Sequence, residues 1–485
     1  MPVHFGTDGW RAVISDTFTF ANLRMVAQAI ADAVRADLRN TGKLSEPNGA
    51  PSIVIGFDTR FMSDRFAADV ARVLAANGMR VHLAQSDSPT PAISFAVRNR
   101  GAVAGVMITA SHNPPRYNGV KLKSAHGASA PKAQCKRVEV YLTDNESQGR
   151  GPNLMDFDLA REQGLIQRFN PIPEYYEHLR TLIDFDIIGD KPQNIVVDSM
   201  FGSGRGIIHG ILQGTGCEVH EIRHQMNPGF GGVHPEPIRR YLGALASAIS
   251  NGGGALGLAT DGDADRIGAM DGRGNFVDPH RIVALSLQHL VENRGMSGTV
   301  VRTVSTTRML DRMAKDFGLE LIETPVGFNH IADLMLEGDV LIGGEESGGI
   351  SFKGHIPEGD GVLMGLLLVE MVAASGGTLS EMVNALLAKY GPAHYERNDL
   401  RLKRPVQKLE LTKRLAENAP AAIGGESVSE VGTMDGAKFI LNDDSWLLIR
   451  PSGTEPLLRV YAEGRSPEMV RALMDYGEQV AREVN

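Results

Sequence analysis

The chain has 485 residues, 42% of them hydrophobic and 22% charged, which is ordinary globular composition and excludes disorder, coiled coil and collagen. Length alone predicts about three domains, with ample chain for several buried cores. A net charge of −9 argues against a general binder of nucleic acid or anionic membranes, though a local basic pocket for a small anion stays open.

The first predicted helix covers 21–40, where Leu23, Val26, Ala27, Ile30, Val34 and Leu38 recur at helical spacing and Asn40 and Gly42 stop the run. A buried strand follows at 52–57, then a helix over 64–77 closed by Gly78, then a strand at 81–84. This strand–helix rhythm predicts an α/β architecture with doubly wound sheets. It returns at 195–198, 256–260 and 340–343, without the fixed short period of a solenoid. Polar or glycine-rich stretches at 143–153, 251–254 and 375–378 predict boundaries, hence domains at 1–148, 149–253, 254–375 and 376–485. The last piece reads as a smaller α+β domain. Strands are expected at 439–441, 445–449 and 457–462, and a helix begins at Pro467 with Ser466 as its cap.

Two cysteines, Cys135 and Cys217, form no CxxC or Cys/His cluster and read as reduced thiols. With an opening that lacks a secretory pattern and no apolar run of about 18 residues, they suggest a cytoplasmic protein that does not span a membrane.

Four apolar runs end in polar loops, and open α/β sheets bind ligands at the carboxyl ends of strands. The run 256–260 leads into Asp261-Gly-Asp-Ala-Asp-Arg266. Three carboxylates at alternate positions converge around a hard cation such as Mg²⁺, or else form a solvated acidic turn. An EF-hand is not met, because Arg266 and Gly272 stand where it needs Gly and Glu. Arg266 could share a phosphate oxygen with the metal. The run 104–109 leads into Thr109-Ala-Ser-His-Asn-Pro114, which sets Ser111 at a strand exit beside His112: a nucleophile or phosphoryl carrier, or a turn serine. The sequence G-x-S-x-G is absent there. Lys121 and Lys123 alternate on one strand face, and Lys121 could serve a phosphate or move a proton. Glu345 and Ser347, after 340–343, suit neighbouring sugar hydroxyls. Arg450-Pro-Ser-Gly-Thr-Glu-Pro456, with Arg459 beyond, has the composition of a phosphate nest or of an ordinary Pro/Gly turn.

In this order, from Phe5-Gly-Thr-Asp-Gly-Trp-Arg11 to Arg450-Pro-Ser-Gly-Thr-Glu-Pro456, the motifs resemble those of the α-D-phosphohexomutase superfamily of phosphoglucomutases and phosphomannomutases. The resemblance implies three related mixed α/β domains and a smaller C-terminal α+β domain around one central cleft. It implies transfer of phosphate between C1 and C6 of a hexose through a hexose 1,6-bisphosphate. Ser111 would be the phosphoserine, and Asp261, Asp263, Asp265 and an oxygen on Ser111 would hold Mg²⁺. Arg11 and Lys121 would border the transfer site. The loop Thr324-Pro-Val-Gly-Phe328, with Gly327, would select sugar orientation, and Glu345 and Ser347 would grip hydroxyls. Arg450, Ser452, Gly453, Thr454 and Arg459 would hold the phosphate that is not transferred.

Two positions depart from the family's patterns. Gly349 stands where many relatives have histidine. The segment His355-Ile-Pro-Glu-Gly-Asp-Gly361 is similar to the phosphoglucomutase branch, but Gly359 replaces its lysine. Lys121 is the first candidate for acid/base, with His112 and His355 as others, and His355 is also expected at the substrate. Glucose is the expected hexose, with mannose or dual use next and glucosamine after. The expected partner is a small phosphosugar with no nucleic acid or membrane, and the expected state is monomer or dimer. A nucleotide-dependent oxidoreductase rests on Met200-Phe-Gly-Ser-Gly-Arg-Gly206, whose continuation fails G-x-G-x-x-G.

Overall fold

A computed structural model describes residues 3–6, 9–40, 50–452 and 456–484. These form two compact units. The first comprises Met1–Ile282, Gly327–Gly338 and Ser347–Leu379; the second comprises Val283–Val326, Asp339–Glu346 and Ser380–Asn485.

The first unit holds two sheets. One contains β1 (Trp10–Val13), β2 (Ser52–Phe57), β3 (Arg80–Ala84), β4 (Ala104–Ile108), β5 (Tyr117–Ser124) and β6 (Ile166–Phe169), in the order β1-β5-β4-β2-β3-β6. The four strands β4-β2-β3-β6 are parallel, β5 runs antiparallel to them, and the edge strand β1 runs antiparallel to β5. Every residue of β4, and all but the first of β2, is buried. Continuous apolar runs of this kind belong to strands covered on both faces. The covering helix Phe20–Asn40 buries Leu23, Val26, Ala27, Ile30, Val34 and Leu38, the residues that set its period. Gly42, expected to stop it, lies outside the described residues. Because β2 and β4 are parallel neighbours, the loops that leave them emerge side by side.

The second sheet has the order β11-β10-β9-β7-β8, from β7 (Asn194–Asp198), β8 (Glu218–Ile222), β9 (Leu256–Thr260), β10 (Ile267–Asp271) and β11 (Phe276–Val277). β9 is parallel to β7, with Ile195 opposite Leu256. The Asp261 loop is therefore carried by the sheet of β7 and β8, not by a domain beginning at residue 254. Glycines 252–254, which read as a linker, close the helix Gly243–Gly252 one step before β9. The helix Gly361–Ser375, almost entirely buried, packs on β9 and β10.

In the second unit, β12 (Thr299–Thr303), β13 (Leu321–Thr324) and β14 (Val340–Gly344) are parallel in the order β13-β12-β14. The short β15 (Ile350–Phe352) returns to the first unit. The C-terminal part is a six-stranded sheet of order β16-β21-β20-β19-β18-β17, from β16 (His394–Arg401), β17 (Ala422–Ile423), β18 (Glu426–Gly432), β19 (Ala437–Leu441), β20 (Trp446–Pro451) and β21 (Leu457–Gly464). The helix Pro467–Glu483 packs on this sheet, and Ser466 caps it by accepting the Met469 N–H at 3.2 Å. Among the described residues no single helix is long and apolar enough to cross a membrane.

Candidate active site

In the first unit the Ser111 loop leaves β4 and meets the Asp261 loop leaving β9. Ser111 is buried and lies at φ 51, a left-handed conformation that costs a non-glycine residue about 1–3 kcal/mol. Its hydroxyl donates to Asp261 Oδ2 at 2.9 Å, and His112 Nδ1 lies 3.4 Å from the same hydroxyl. Close approach of the two loops depends on Gly262, since a Cβ there would stand 2.6 Å from the Ser111 carbonyl oxygen.

Asp261, Asp263 and Asp265 are buried, and each offers a carboxylate oxygen within 4.8 Å of the others. Lys121, from β5, reaches Asp263 Oδ2 at 2.9 Å and Asp265 Oδ2 at 2.6 Å. Thr90 donates its hydroxyl to Asp263 Oδ2 at 2.6 Å and its backbone N–H to the Asp263 carbonyl at 2.8 Å. Burial, then the charges of Asp265 and Asp263, push Asp261 well above the ordinary carboxylate range. Burial would also raise Asp263, but the Lys121 ammonium and the Thr90 hydroxyl take it below that range. Among the described residues, Asp263 Oδ1 is buried with no hydrogen-bond partner. Three converging carboxylates, one with an orphaned oxygen, make an all-oxygen donor set that fits Mg²⁺.

Arg11 sits beside this loop and donates to Asn113 Oδ1 at 2.7 Å. Arg266 lies 3.9 Å from Asp265 and 4.0 Å from Glu236. Gly327 stands at φ 132, at the entry to the helix Phe328–Glu337, and Ser347 is half-buried in the chain that leads to β15. The side chain of His355 is fully covered: Nδ1 is 3.0 Å from His178 Nε2, and Nε2 is 3.0 Å from Asp360 Oδ2. Tyr175 donates to the same Asp360 oxygen at 2.6 Å. Lys123, the neighbour of Lys121 on its strand face, is buried against Glu358.

The two departures from the family's patterns touch each other. A Cβ at Gly359 would stand 3.0 Å from Gly349 Cα and 2.9 Å from the Asp265 carbonyl oxygen. At Gly359 the neighbouring backbone therefore lies closer than a side chain would permit.

In the second unit Glu345 is buried at the end of β14. Arg450 on β20 lies opposite Arg459 on β21. Asp435 accepts from Arg450 Nε at 2.8 Å and from the Val326 N–H at 3.0 Å, and it pairs with Lys408. Arg459 Nε is 3.7 Å from Asp399 Oδ2. Ser452 is buried, its N–H donating to the Leu457 carbonyl at 2.8 Å. Gly453 and Thr454 lie outside the described residues, as do Thr7 and Asp8 of the N-terminal motif.

Thr90, Asp435 and the pair Asp58 and Arg60 escaped the sequence reading. The last two carry a usable signal: Asp58-Thr-Arg60 is a polar exit from an apolar strand, like the Ser111 and Asp261 loops. Thr90 and Asp435 carried none, because their partners lie 173 and 15 residues away.

Family models of phosphoglucomutase/phosphomannomutase match residues 2–149 (alpha/beta/alpha domain I), 173–274 (domain II), 278–390 (domain III) and 402–477 (C-terminal domain). A phosphoglucomutase/phosphomannomutase of Thermococcus kodakarensis is 30% identical over 99% of this chain and 98% of the relative. A phosphoglucosamine mutase of Heliobacterium modesticaldum is 32% identical over 97% of each chain. The crystal structure of a candidate phosphomannomutase from Thermus thermophilus matches with a TM-score of 0.85 at 34% identity, over 99% of each chain. The chain therefore belongs to the phosphoglucomutase/phosphomannomutase family of the α-D-phosphohexomutase superfamily, as three α/β/α domains followed by a C-terminal domain.

Proposed function

We propose that this phosphohexomutase interconverts hexose 1-phosphate and hexose 6-phosphate through a phosphoserine at Ser111, with the hexose 1,6-bisphosphate as intermediate and activator. One observation carries the reading: a buried serine, held in a left-handed backbone, turns its hydroxyl onto a converging carboxylate trio. A turn serine needs neither the strain nor the trio.

Asp261, Asp263 and Asp265 would hold Mg²⁺, with Ser111 alongside. When bound, the ion supplies charge neutralisation for the transferring phosphoryl group. The Ser111 Oγ–P bond breaks as a bond forms between phosphorus and a hexose hydroxyl oxygen. Lys121 accepts the hydroxyl proton as the neutral amine and gives it back in the reverse half-reaction, the ammonium seen against Asp263 and Asp265 being its proton-loaded form. His112, beside the Ser111 hydroxyl, and Arg11 orient the loop and the phosphoryl oxygens. His355 stays outside the proton relay, because its side chain is covered by His178 and Asp360. Arg450, fixed by Asp435, anchors the phosphate that stays, with Ser452 and Arg459 beside it. Glu345 and Ser347 take hexose hydroxyls, and Gly327 lies in the loop that orients the sugar.

Glucose is the proposed hexose, on the similarity of His355-Ile-Pro-Glu-Gly-Asp-Gly361 to the phosphoglucomutase branch, with mannose or dual use the next reading. The name of the Heliobacterium relative favours an amino sugar instead. Turnover of glucose, mannose and glucosamine phosphates, each primed with its own bisphosphate, separates the three. Ser111→Ala should fold and lose mutase turnover; wild-type rates in that variant would refute the phosphoserine.

A further inference from the structure

The amide ends of Ser111 lead to one buried ion pair. Its N–H donates to Thr109 Oγ1 at 2.8 Å, and the Thr109 hydroxyl donates to Asp58 Oδ2 at 2.6 Å. Its carbonyl accepts from Arg60 Nη2, and Arg60 Nε donates to the same Asp58 oxygen at 3.1 Å. The backbone that holds Ser111 left-handed is thus closed through Asp58 and Arg60.

Arg60 is 2% exposed, and every one of its five side-chain N–H groups has an acceptor. Nη2 also donates to the Asn113 carbonyl at 2.7 Å. Nη1 donates to the carbonyls of Pro114 at 2.9 Å and Tyr117 at 3.0 Å. Four carbonyls of one loop face one guanidinium, and the buried Phe230 ring covers it, its centroid 4.9 Å away. Asp58 is fixed in turn by Ser63 Oγ at 2.9 Å and by the Arg60 N–H at 3.0 Å. Without a cation at this point, the four carbonyl dipoles would face one another in a buried space. A lysine would keep the charge but not the planar fork that reaches four acceptors.

We infer that Arg60 is a positioning residue for phosphoryl transfer: clamped by Asp58, it wraps the loop 111–117 around its guanidinium and sets the angle at which Ser111 Oγ meets the carboxylate trio. It touches neither substrate nor the reacting hydroxyl. Its effect should therefore fall on the chemical step rather than on sugar binding. Misplacement of a reacting group by about 1 Å costs on the order of 100-fold in rate.

The inference rests on Ser111 as the relay, and the test keeps the two apart. Arg60→Lys and Asp58→Asn are measured beside the wild type in two ways: mutase kinetics with glucose 1-phosphate and glucose 1,6-bisphosphate, and amide hydrogen exchange of peptides covering 109–117. The exchange readout needs no turnover. Arg60→Lys should lower kcat at least ~30-fold with KM within ~threefold, and should speed exchange in 109–117 while β2 and β3 stay protected. Asp58→Asn should move the same two quantities in the same direction. Wild-type kcat, unchanged loop exchange, or equal losses in kcat and KM would overturn the inference. Loss of folded protein in both variants would overturn it too, because Arg60 would then serve folding alone. Ser111→Ala that retains turnover would sink the relay while leaving the exchange result to judge the clamp.

Discussion

The contact between the Ser111 loop and the Asp261 loop can be opened by a single methyl group. In Gly262→Ala the new Cβ would lie 2.6 Å from the Ser111 carbonyl oxygen and 3.2 Å from Pro235 Cγ. Ordinary contact begins near 3.4 Å, so the loops must part by about 0.8 Å. The Ser111 carbonyl cannot retreat, because Arg60 holds it, so the Asp261 loop has to move. The 2.9 Å bond from Ser111 Oγ to Asp261 Oδ2 then stretches beyond hydrogen-bond range. Overpacking of this kind costs roughly 1–3 kcal/mol of stability. A displacement approaching 1 Å at the reacting atoms costs on the order of 100-fold in rate. Thermal unfolding should show a modest drop, and turnover with saturating Mg²⁺ and glucose 1,6-bisphosphate should show a kcat loss between ~30- and ~100-fold. The Mg²⁺ concentration for half-maximal rate should rise as well. A kcat within threefold of wild type, with an unchanged Mg²⁺ titration, would refute the claim that these loops act as one site.

Three further outcomes follow from the same geometry. Lys121 neutralises Asp263 and Asp265, so Lys121→Met should leave buried carboxylates uncompensated, at a cost of ~3–5 kcal/mol when a chelator is present. Its melting temperature should depend steeply on Mg²⁺ where the wild type's hardly does; equal sensitivity would contradict this. Burial, then His355, push His178 down to about 4. Below the unfolded value near 6.5 the unfolded chain takes up a proton that the folded protein refuses, so stability falls from there toward pH 4. After allowance for solvent screening the loss is ~1–2 kcal/mol. His178→Asn should remove that part of the acid limb, and parallel denaturation curves at pH 7 and 4.5 would rule it out. Finally, Arg450→Ala should raise KM by ~10–100-fold for every hexose phosphate, since charged hydrogen bonds to phosphate are worth ~1.5–3 kcal/mol whichever sugar follows; a loss confined to one sugar would contradict the anchor.

The Asp trio and Ser111 were legible because each sits where an apolar strand stops, and the alternation of the aspartates survives folding as convergence. Ser466 as a helix cap was legible because capping is local. The burial of the lysines was not. Read alone, Lys121 and Lys123 look like solvated side chains, and only the approach of Asp263, Asp265 and Glu358, from 142 or more residues away in sequence, buries them. The glycines before β9 misled for a related reason, because a helix end and a linker share one composition until β9 is seen to pair with β7. His355 was expected at the substrate from its motif. Its enclosure depends on His178 and Tyr175, which no local pattern connects to it.

The interleaved chain course has a consequence for biosynthesis. The first unit is not complete until Leu379 has been made, about 100 residues after Ile282. At about 5–20 residues per second, the ribosome leaves that unit unfinished for roughly 5–20 seconds. What is missing in that interval is the helix Gly361–Ser375, the apolar rod that covers β9 and β10. Until it emerges, the nascent chain displays a bare hydrophobic floor beneath its aspartate loop, and nascent chains stalled before Gly361 should be the ones that chaperones hold.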